Sequence, residues 1–285
     1  MGSKVKNPNF QLPIPKRHSA WRWALALVAL GFGIWGLGFL GAREDEIWKR
    51  IRERGYMVVA TDASYPPFSA VDADGNLFGF DVDLAEEIGR RLGVRVEFEN
   101  ITYDALLGSV ISGRDDAVVS AFVPQPERLK EVSFTRSYFV SGTVVVIRSS
   151  DGRRLEGTDA VAWSAGKTLA VEYGSGGDAL ARGWARRVEG LTVLPKPTAQ
   201  EALQMVEQGG AEAAVVDAIS AYEFLNAHPA LALAGPPLEP EPYAIAVSAQ
   251  SHELLRALET ALAEMEADGA LAQLKVKWFG EAAEE

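Results

Sequence analysis

The sequence predicts an α/β protein whose body is divided into two lobes. After residue 42, apolar residues switch repeatedly between the alternation of a strand and the 3.6-residue period of a helix. This pattern runs to about residue 119 and starts again near residue 168. Such switching is typical of largely parallel sheets covered by helices. The 243 residues after position 42 are enough for two lobes of ordinary domain size.

The first set of elements begins with a strand at 58–60 and a helix at 83–92. Asp83 and Glu86 have the spacing of a capping box at the start of that helix, and Gly93 suits its end. The set continues with a strand at 94–98, a helix at 106–111 that is closed by Gly113, and a strand at 116–119.

A second set of elements begins near residue 168. Thr198 and Glu201 have capping-box spacing at the start of one of its helices. The proline-rich stretch 236–242 predicts an extended connector between the lobes, neither a helix nor a central strand. The other predicted elements are strands at 169–171 and 213–216, a glycine-rich turn at 174–177, and helices from 178, from 198 to about 209, over 252–266 and over 270–279.

Charge is distributed unevenly along the chain. The formal net charge is −11, from 28 Lys and Arg against 39 Asp and Glu. The first 42 residues hold five basic residues and no acid, so the remaining 243 carry −16. Because an acidic body repels phosphates, nucleic acid is excluded as a partner. The chain has no cysteine, which excludes a disulfide scaffold and a cysteine-ligated metal site.

An apolar segment near the N-terminus predicts a transmembrane or signal helix. Residues 23–42 carry no charge, and at about 1.5 Å per residue they span the roughly 30 Å hydrocarbon core of a bilayer. Since the basic segment 1–22 precedes them and acidic residues follow, the positive-inside rule places 1–22 in the cytoplasm. The body then lies on the periplasmic or extracellular face of the cytoplasmic membrane.

This helix is either an uncleaved anchor or a signal that is removed after export. The length of segment 1–22 and the lack of a clear small-x-small cleavage motif favour the anchor. A lipid anchor is excluded, because its thioether requires a cysteine.

Polar residues follow the predicted strands of both sets, at the edge where open α/β sheets bind ligands. Asp62 and Ser120 follow strands of the first set, and Arg128 lies near the start of a helix that Pro126 could open. In the second set, a Gly/Ser turn follows one strand and Asp217 follows another. The candidate ligand-binding residues are Asp62, Tyr65, Phe68, Ser120, Arg128, Ser175 and Asp217.

These residue types suit a zwitterion. Arginine binds a carboxylate through paired hydrogen bonds, and the N-terminus of a helix supplies further donors for the same anion. Aspartate accepts from an ammonium group, and aromatic rings enclose a side chain. The set therefore predicts a cleft for a zwitterion such as a free amino acid.

Each candidate also has a structural interpretation, which the sequence leaves open. Arg128 can be a solvated helical charge, and Asp217 can be a helix N-cap, the commonest role of an aspartate between a strand and a helix. Tyr65 and Phe68 can be core aromatics. Ser175 lies in a turn without the lysine and spacing of a P-loop, so phosphate binding is not predicted.

Several short motifs occur in a fixed order over about residues 56–280. They are DASYPPF at 62–68, DGNLFGFDVDL at 74–84, Pro126-Glu127-Arg128 with Phe134 and Tyr138, AVVD at 214–217, and KWFG at 277–280. In this order they resemble the extracellular solute-binding proteins of family 3, the periplasmic polar amino-acid receptors of ABC importers.

The resemblance implies the type II fold of periplasmic binding proteins, with two α/β lobes joined by a two-strand hinge. Lobe 1 would comprise residues 43–139 and 241–285, and lobe 2 would comprise residues 140–240. Closure around the ligand would be a hinge motion, and the permease of an ABC transporter would recognise the closed form. No cofactor or metal is implied.

The resemblance also implies individual roles. Arg128 would pair with the ligand α-carboxylate and Asp217 with its α-amino group, while Ser120 and the backbone around Ser175 would add hydrogen bonds. The side-chain subsite would be lined by Asp62, Tyr65 and Tyr103, and the carboxylate of Asp62 would favour a polar or cationic group there. Three departures leave the ligand open: Val123 and Gln125 stand where a hydroxyl residue is usual, and Gly176 replaces a common threonine.

A second function class stays open, because cyclohexadienyl and arogenate dehydratases resemble this family and share its fold. Such an enzyme needs a general acid, and Glu172 is the extra carboxylate beside the predicted cleft. Fold analogy alone does not transfer activity, so a receptor that performs no chemistry is favoured. His18, His228 and His252 are isolated in the sequence, which predicts neither a metal cluster nor a Ser-His-Asp arrangement.

Overall fold

A computed structural model of the chain describes residues 45–155 and 157–283. The predicted basic segment 1–22 and the predicted apolar segment 23–42 lie outside the described residues. Among the helices that are described, none combines the length and the apolar character needed to cross a membrane.

The described residues form nine helices, twelve strands and four short 3-10 turns. The helices are α1 (Glu46–Arg54), α2 (Phe80–Leu92), α3 (Leu106–Ser112), α4 (Thr158–Trp163), α5 (Gly176–Ala185), α6 (Ala199–Glu207), α7 (Ala218–Leu225), α8 (His252–Ala267) and α9 (Ala270–Phe279). The 3-10 turns are Tyr103–Ala105, Pro126–Arg128, Ser149–Asp151 and Glu281–Ala283.

The strands alternate with these helices along much of the chain. They are β1 (Tyr56–Thr61), β2 (Ser64–Tyr65), β3 (Ser69–Val71), β4 (Leu77–Phe78), β5 (Arg95–Asn100), β6 (Ala117–Val118), β7 (Val132–Arg148), β8 (Thr168–Glu172), β9 (Thr192–Lys196), β10 (Ala213–Asp217), β11 (Leu231–Leu233) and β12 (Glu239–Ser248).

One main sheet has the order β5-β1-β6-β12-β7-β10-β8-β9, with β11 on β7. At one end β5, β1 and β6 are parallel, and at the other end β10, β8 and β9 are parallel. Between them, β12 and β7 pair antiparallel. Each parallel group with its helices forms a lobe, and the two long central strands join the lobes, which confirms the two-lobed α/β fold. The predicted lobe boundaries fall inside these two strands and stay a prediction.

The proline-rich stretch 236–242 differs from its prediction. It was expected to contain no central strand, but β12 begins at residue 239 and lies between β6 and β7. Residues 239–242 pair with β7, whereas β6 pairs with β12 at Ala246 and Val247. Proline lacks an N–H donor, so a strand tolerates it where one edge has no partner strand. This end of β12 is such an edge.

The start of α2 also differs from its prediction. The helix begins at Phe80 with Gly79 as its N-cap, so the expected capping box of Asp83 and Glu86 is wrong. A Cβ at Gly79 would lie 2.1 Å from the carbonyl oxygen of Phe68, and its φ of 139° favours glycine. Asp83 instead lies one turn into the helix, where it accepts hydrogen bonds from α9.

Other helix boundaries follow the sequence closely. Thr198 is the N-cap of α6 and accepts from the backbone N–H of Glu201 at 3.2 Å. Gly93 ends α2 in the left-handed conformation, as expected of a glycine C-cap.

The helix predicted to begin at Pro126 is shorter in the structure, where residues 126–128 form a single 3-10 turn.

An aromatic cluster lies where the two central strands meet the C-terminal helix α9. Phe68 packs edge to face against Phe139 of β7 and Tyr243 of β12, with ring centroids 5.2 Å apart in both pairs. Phe279 of α9 packs against Phe139 at 4.7 Å. Edge-to-face aromatic pairs add about 1 kcal/mol each beyond the apolar area they bury. The cluster therefore fixes the C-terminus against the central strands.

Candidate functional site

Asp62 joins three segments of the first lobe at the end of β1. Its backbone N–H donates to the hydroxyl of Ser120 at 2.9 Å. Its carboxylate accepts the backbone N–H of Ser64 at 3.1 Å through Oδ1 and that of Tyr103 at 2.8 Å through Oδ2. Both carboxylate oxygens therefore organise the loops that carry the other candidate residues, which the sequence did not predict.

Ser120 is buried and precedes a residue with an unusual backbone. Ala121 has φ of 45°, and its N–H donates to Asp81 Oδ2 at 2.6 Å and approaches the Tyr138 hydroxyl at 3.1 Å. Burial raises the pKa of Asp81 to about 7, and hydrogen bonds from Tyr138 and Ala121 oppose part of that rise. Asp81 thus supports the Ser120 loop from within the core.

Sequence reasoning missed Asp81 because the predicted helix began at residue 83, which left Asp81 in the preceding loop, where an aspartate is ordinarily exposed to solvent. The signal that pointed to it was its place between apolar neighbours, Phe80 and Val82, at a position that faces the sheet. All three residues are buried.

Two tyrosines face solvent at this edge, and each is backed by a phenylalanine. Tyr65 is 45% exposed and stacks on Phe68 with centroids 5.3 Å apart. Tyr103 is 41% exposed and stacks on Phe122 at 5.1 Å. Phe68 itself has no exposed surface and belongs to the aromatic core. The exposed rings of Tyr65 and Tyr103 are therefore the surfaces that a ligand can reach in this conformation.

Arg128 ends the 3-10 turn that Pro126 opens. Its Nε lies 3.0 Å from Glu131 Oε2, and its side chain is 39% exposed. The Nε–H does not point at that oxygen, so the contact is an ion pair without a hydrogen bond. Among the described residues no acceptor pairs with the terminal nitrogens of Arg128. The fork that binds carboxylates is therefore available.

The glycine-rich turn of the second lobe is fixed by a reciprocal cap. Ser175 is the N-cap of α5: its hydroxyl accepts from the N–H of Asp178 at 3.2 Å and donates to the carbonyl of Glu172 at 2.8 Å. The Asp178 carboxylate accepts the N–H of Gly174 at 3.0 Å. Because the Ser175 hydroxyl is committed, the first-turn backbone N–H groups of α5 are what this turn offers an anion.

Asp217 is the N-cap of α7, as its structural interpretation proposed. Its Oδ1 accepts the N–H of Ser220 at 2.8 Å. No described residue donates to its Oδ2, and the side chain is exposed at the carboxyl end of β10. Capping and ligand binding are compatible, because a carboxylate has two oxygens.

The candidate residues thus cluster at the carboxyl ends of parallel strands in each lobe, the edge at which such sheets bind ligands. Their ligand contacts stay a prediction. A cavity of about 570 Å³ lies elsewhere, between β7 and the C-terminal helices, and none of the eight candidates lines it. Within the described residues, no group of three acidic or imidazole side chains is arranged to hold a metal ion.

Comparison with known protein families identifies the family to which this chain belongs. Residues 57–281 match the bacterial extracellular solute-binding proteins, family 3. The chain belongs to this family. The match covers every candidate residue and both lobes, so the expectation drawn from the ordered motifs is confirmed.

Individual members of the family are similar over most of the chain. A probable amino-acid ABC transporter-binding protein of Haemophilus influenzae is 30% identical over 237 residues, 82% of this chain and 89% of the relative. The L-cystine solute receptor of Neisseria gonorrhoeae, in its unliganded open conformation, is 26% identical and superposes with a TM-score of 0.71, covering 83% of this chain and 98% of the receptor. An ancestral cationic amino acid solute binding protein is 31% identical with a TM-score of 0.59, covering 81% and 98%.

Proposed function

We propose that this family 3 protein captures a free amino acid between its lobes and presents it to the permease of an ABC importer. The observation that carries the proposal is the separation of donors and acceptors at the sheet edge. Arg128 and the N-terminus of α5 offer donors to a carboxylate, and the free oxygen of Asp217 offers an acceptor to an ammonium group. These are the two charges of an amino-acid backbone.

The hinge makes capture a conformational event. Apart from the buried Phe68, the candidates on the first lobe are Asp62, Tyr65, Tyr103, Ser120 and Arg128, and those on the second are Ser175 and Asp217. Since β7 and β12 join the lobes, a ligand that binds both sides favours the closed state by its additional contacts there. The permease then distinguishes loaded from empty receptor by shape.

The ligand class follows from the relatives as a proposal. The names of two of them specify L-cystine and cationic amino acids, and both kinds of ligand carry a positive charge besides one α-ammonium group. The acidic body agrees with a cationic ligand, because its field attracts cations. We therefore expect a cationic or otherwise polar amino acid.

Titration calorimetry of the full-length protein with the twenty amino acids and L-cystine tests the proposal. We expect one or a few ligands to bind, and Arg128→Ala to weaken binding at least a hundredfold, whereas Arg95→Ala, which removes an exposed arginine on β5, leaves it unchanged. Absence of binding to every compound, or unchanged binding in Arg128→Ala, contradicts the proposal.

We propose further that the protein binds without chemistry and is tethered by residues 23–42. Relatives are named as binding proteins and receptors, which favours binding over catalysis. Formation of an aromatic product from prephenate or arogenate would contradict the first point. Extraction of the protein from membranes by alkaline carbonate, or a mature mass that lacks residues 1–42, would contradict the tether.

A further inference from the structure

A row of polar residues crosses the centre of the main sheet. Thr143 on β7 lies directly opposite Asp217 on β10 and directly opposite Glu239 on β12. Residues that face each other across an antiparallel pair project their side chains from the same face, with Cβ atoms about 5 Å apart. Thr143 is therefore flanked by an acidic residue on each neighbouring strand.

Thr143 is the buried member of this row. Its side chain is more than nine-tenths buried, with 9% exposed, and none of the described residues forms a hydrogen bond with its hydroxyl. Its Oγ1 lies 3.5 Å from the point where a Cβ would stand on Gly176, the first residue of α5. The oxygen itself keeps some contact with solvent, so it can form a hydrogen bond with a molecule that enters this space. It is directed into the space between Asp217 and the N-terminus of α5.

Glu241 extends the acidic face of β12 toward the first lobe. Side chains two residues apart on a strand share a face and lie about 6–7 Å apart, so Glu241 follows Glu239. The register places it opposite Ser141. Burial raises the pKa of Tyr103 and of Tyr243, and the negative charge of Glu241 adds to both rises, so both hydroxyls lie within the electrostatic field of Glu241.

Three carboxylates on one face repel one another unless a cation lies among them. In the proposed function, Asp217 accepts the α-amino group of the ligand. From β10 to β12 the distance is two strand spacings, roughly 10 Å, which is the scale of an extended amino acid with a long side chain. Asp62, the carboxylate expected to bind the side chain, already accepts two backbone N–H groups.

We propose that the hinge strand β12 binds the distal end of the ligand: Glu239 and Glu241, with the hydroxyl of Thr143, hold a second positively charged group, an ammonium or a guanidinium. This inference rests on the proposed function, because it takes Asp217 as the site of the α-amino group. It assigns the preference for a cationic side chain to the hinge, outside the loops of either lobe. Because β12 also joins the lobes, the charge of the ligand is sensed by the element about which they move.

The test compares ligands that differ in their distal charge. The full-length wild type, Glu241→Gln, the Glu239→Gln/Glu241→Gln double variant and Thr143→Val are titrated with two pairs, L-arginine against L-citrulline and L-lysine against L-norleucine. Glu97→Gln serves as the control, since Glu97 is an exposed strand glutamate on β5. Thermal unfolding of each variant checks that it is folded.

We expect the double variant to lose at least tenfold in affinity for L-arginine and L-lysine, equal to about 1.4 kcal/mol, and less than threefold for the neutral partners. Glu241→Gln gives a smaller loss with the same selectivity, Thr143→Val weakens L-arginine binding at least threefold, and the control binds as the wild type. A wild type that prefers the neutral member of each pair, or a double variant with unchanged or uniformly reduced affinities, overturns the inference and leaves the proposed function standing. A wild type that binds no amino acid overturns both.

Discussion

The backbone N–H of Ala121 donates to the buried carboxylate of Asp81, with 2.6 Å between the nitrogen and Oδ2. Ala121 has φ of 45°, in the left-handed region that side-chain-bearing residues adopt infrequently. It follows Ser120, whose hydroxyl accepts from the N–H of Asp62. The conformation of the first-lobe loop therefore depends on a carboxylate in the core.

This relationship predicts a pH dependence of stability. Burial raises the pKa of Asp81 to about 7, whereas an aspartate in an unfolded chain titrates near 3.9. Since the folded state holds the proton more tightly, ionisation of Asp81 destabilises the fold. The effect is absent below about pH 4, grows as the pH rises and is complete above about pH 7.

Asp81→Asn isolates this effect, because asparagine keeps an oxygen for the Ala121 N–H and does not titrate. We expect the free energy of unfolding of the wild type, relative to that of Asp81→Asn, to fall by on the order of 1 kcal/mol per pH unit between pH 5 and pH 7. Urea denaturation at a series of pH values measures it. A difference that stays constant over this range contradicts the prediction.

The sequence predicts most elements of the fold because their apolar periods are local. The predicted strand at 213–216 and the helices at 252–266 and 270–279 agree with β10, α8 and α9 to within one residue. The 17-residue strand β7 escaped prediction, because its burial pattern follows one lobe and then the other and shows no single alternation. Strand partners, which decide whether prolines fit into β12, are set by tertiary pairing.

The positions of the candidate residues can be predicted from the sequence, but the roles of their side chains can be predicted less well. The predicted ends of the strands placed Asp62 and Asp217 correctly at the carboxyl edge of the sheet. The partner of the Asp62 carboxylate is the N–H of Tyr103, 41 positions away, and no local pattern contains that distance in sequence. The same holds for Thr143 and Asp217, which become neighbours through the register of β7 and β10.

The contacts of Asp83 with the C-terminal helix α9 are expected to stabilise the fold. Its Oδ2 accepts from Trp278 Nε1 and from Lys277 Nζ, both at 2.6 Å, so it fastens α9 to α2. We expect Asp83→Ala to lower the free energy of unfolding by about 1–2 kcal/mol, because both hydrogen bonds are lost. Glu86→Ala, an exposed change on the same helix, is expected to stay within about 0.5 kcal/mol of the wild type. Equal losses in the two variants in urea denaturation contradict this account.

The close packing of α5 against β10 requires a residue without a side chain at Gly177. A Cβ at this position would lie 2.1 Å from the carbonyl oxygen of Val215, so α5 must move away from β10. We expect Gly177→Ala to destabilise the protein by about 1–3 kcal/mol and to weaken amino-acid binding. Gly183→Ala on the same helix has its nearest atom, Arg186 Nη2, at 3.8 Å, and is expected to stabilise by about 0.5–1 kcal/mol. Destabilisation by both changes indicates a helix-wide effect and contradicts the steric one.

Removal of the Asp62 carboxylate is expected to lower the affinity for amino acids by a factor that does not depend on the charge of the ligand side chain. Because its two oxygens hold the N–H groups of Ser64 and Tyr103, we expect Asp62→Ala to release both loops and to reduce the affinity for L-arginine and L-citrulline by a similar factor, about tenfold. Hydrogen exchange at the amide of Tyr103 should accelerate in parallel, since that N–H loses its acceptor.

Asp72→Ala is the matched control for this change. Asp72 holds the turn between β3 and β4: its Oδ1 accepts the backbone N–H groups of Asp74 and Asn76 at 2.9 and 2.8 Å, so it too fixes two backbone N–H groups, away from the candidate residues. Its removal should accelerate exchange at Asn76 and leave binding unchanged. If Asp62→Ala instead weakens L-arginine alone, with slow exchange retained at Tyr103, the carboxylate contacts the distal cation directly, and the distal charge is then recognised by the first lobe as well as by the hinge.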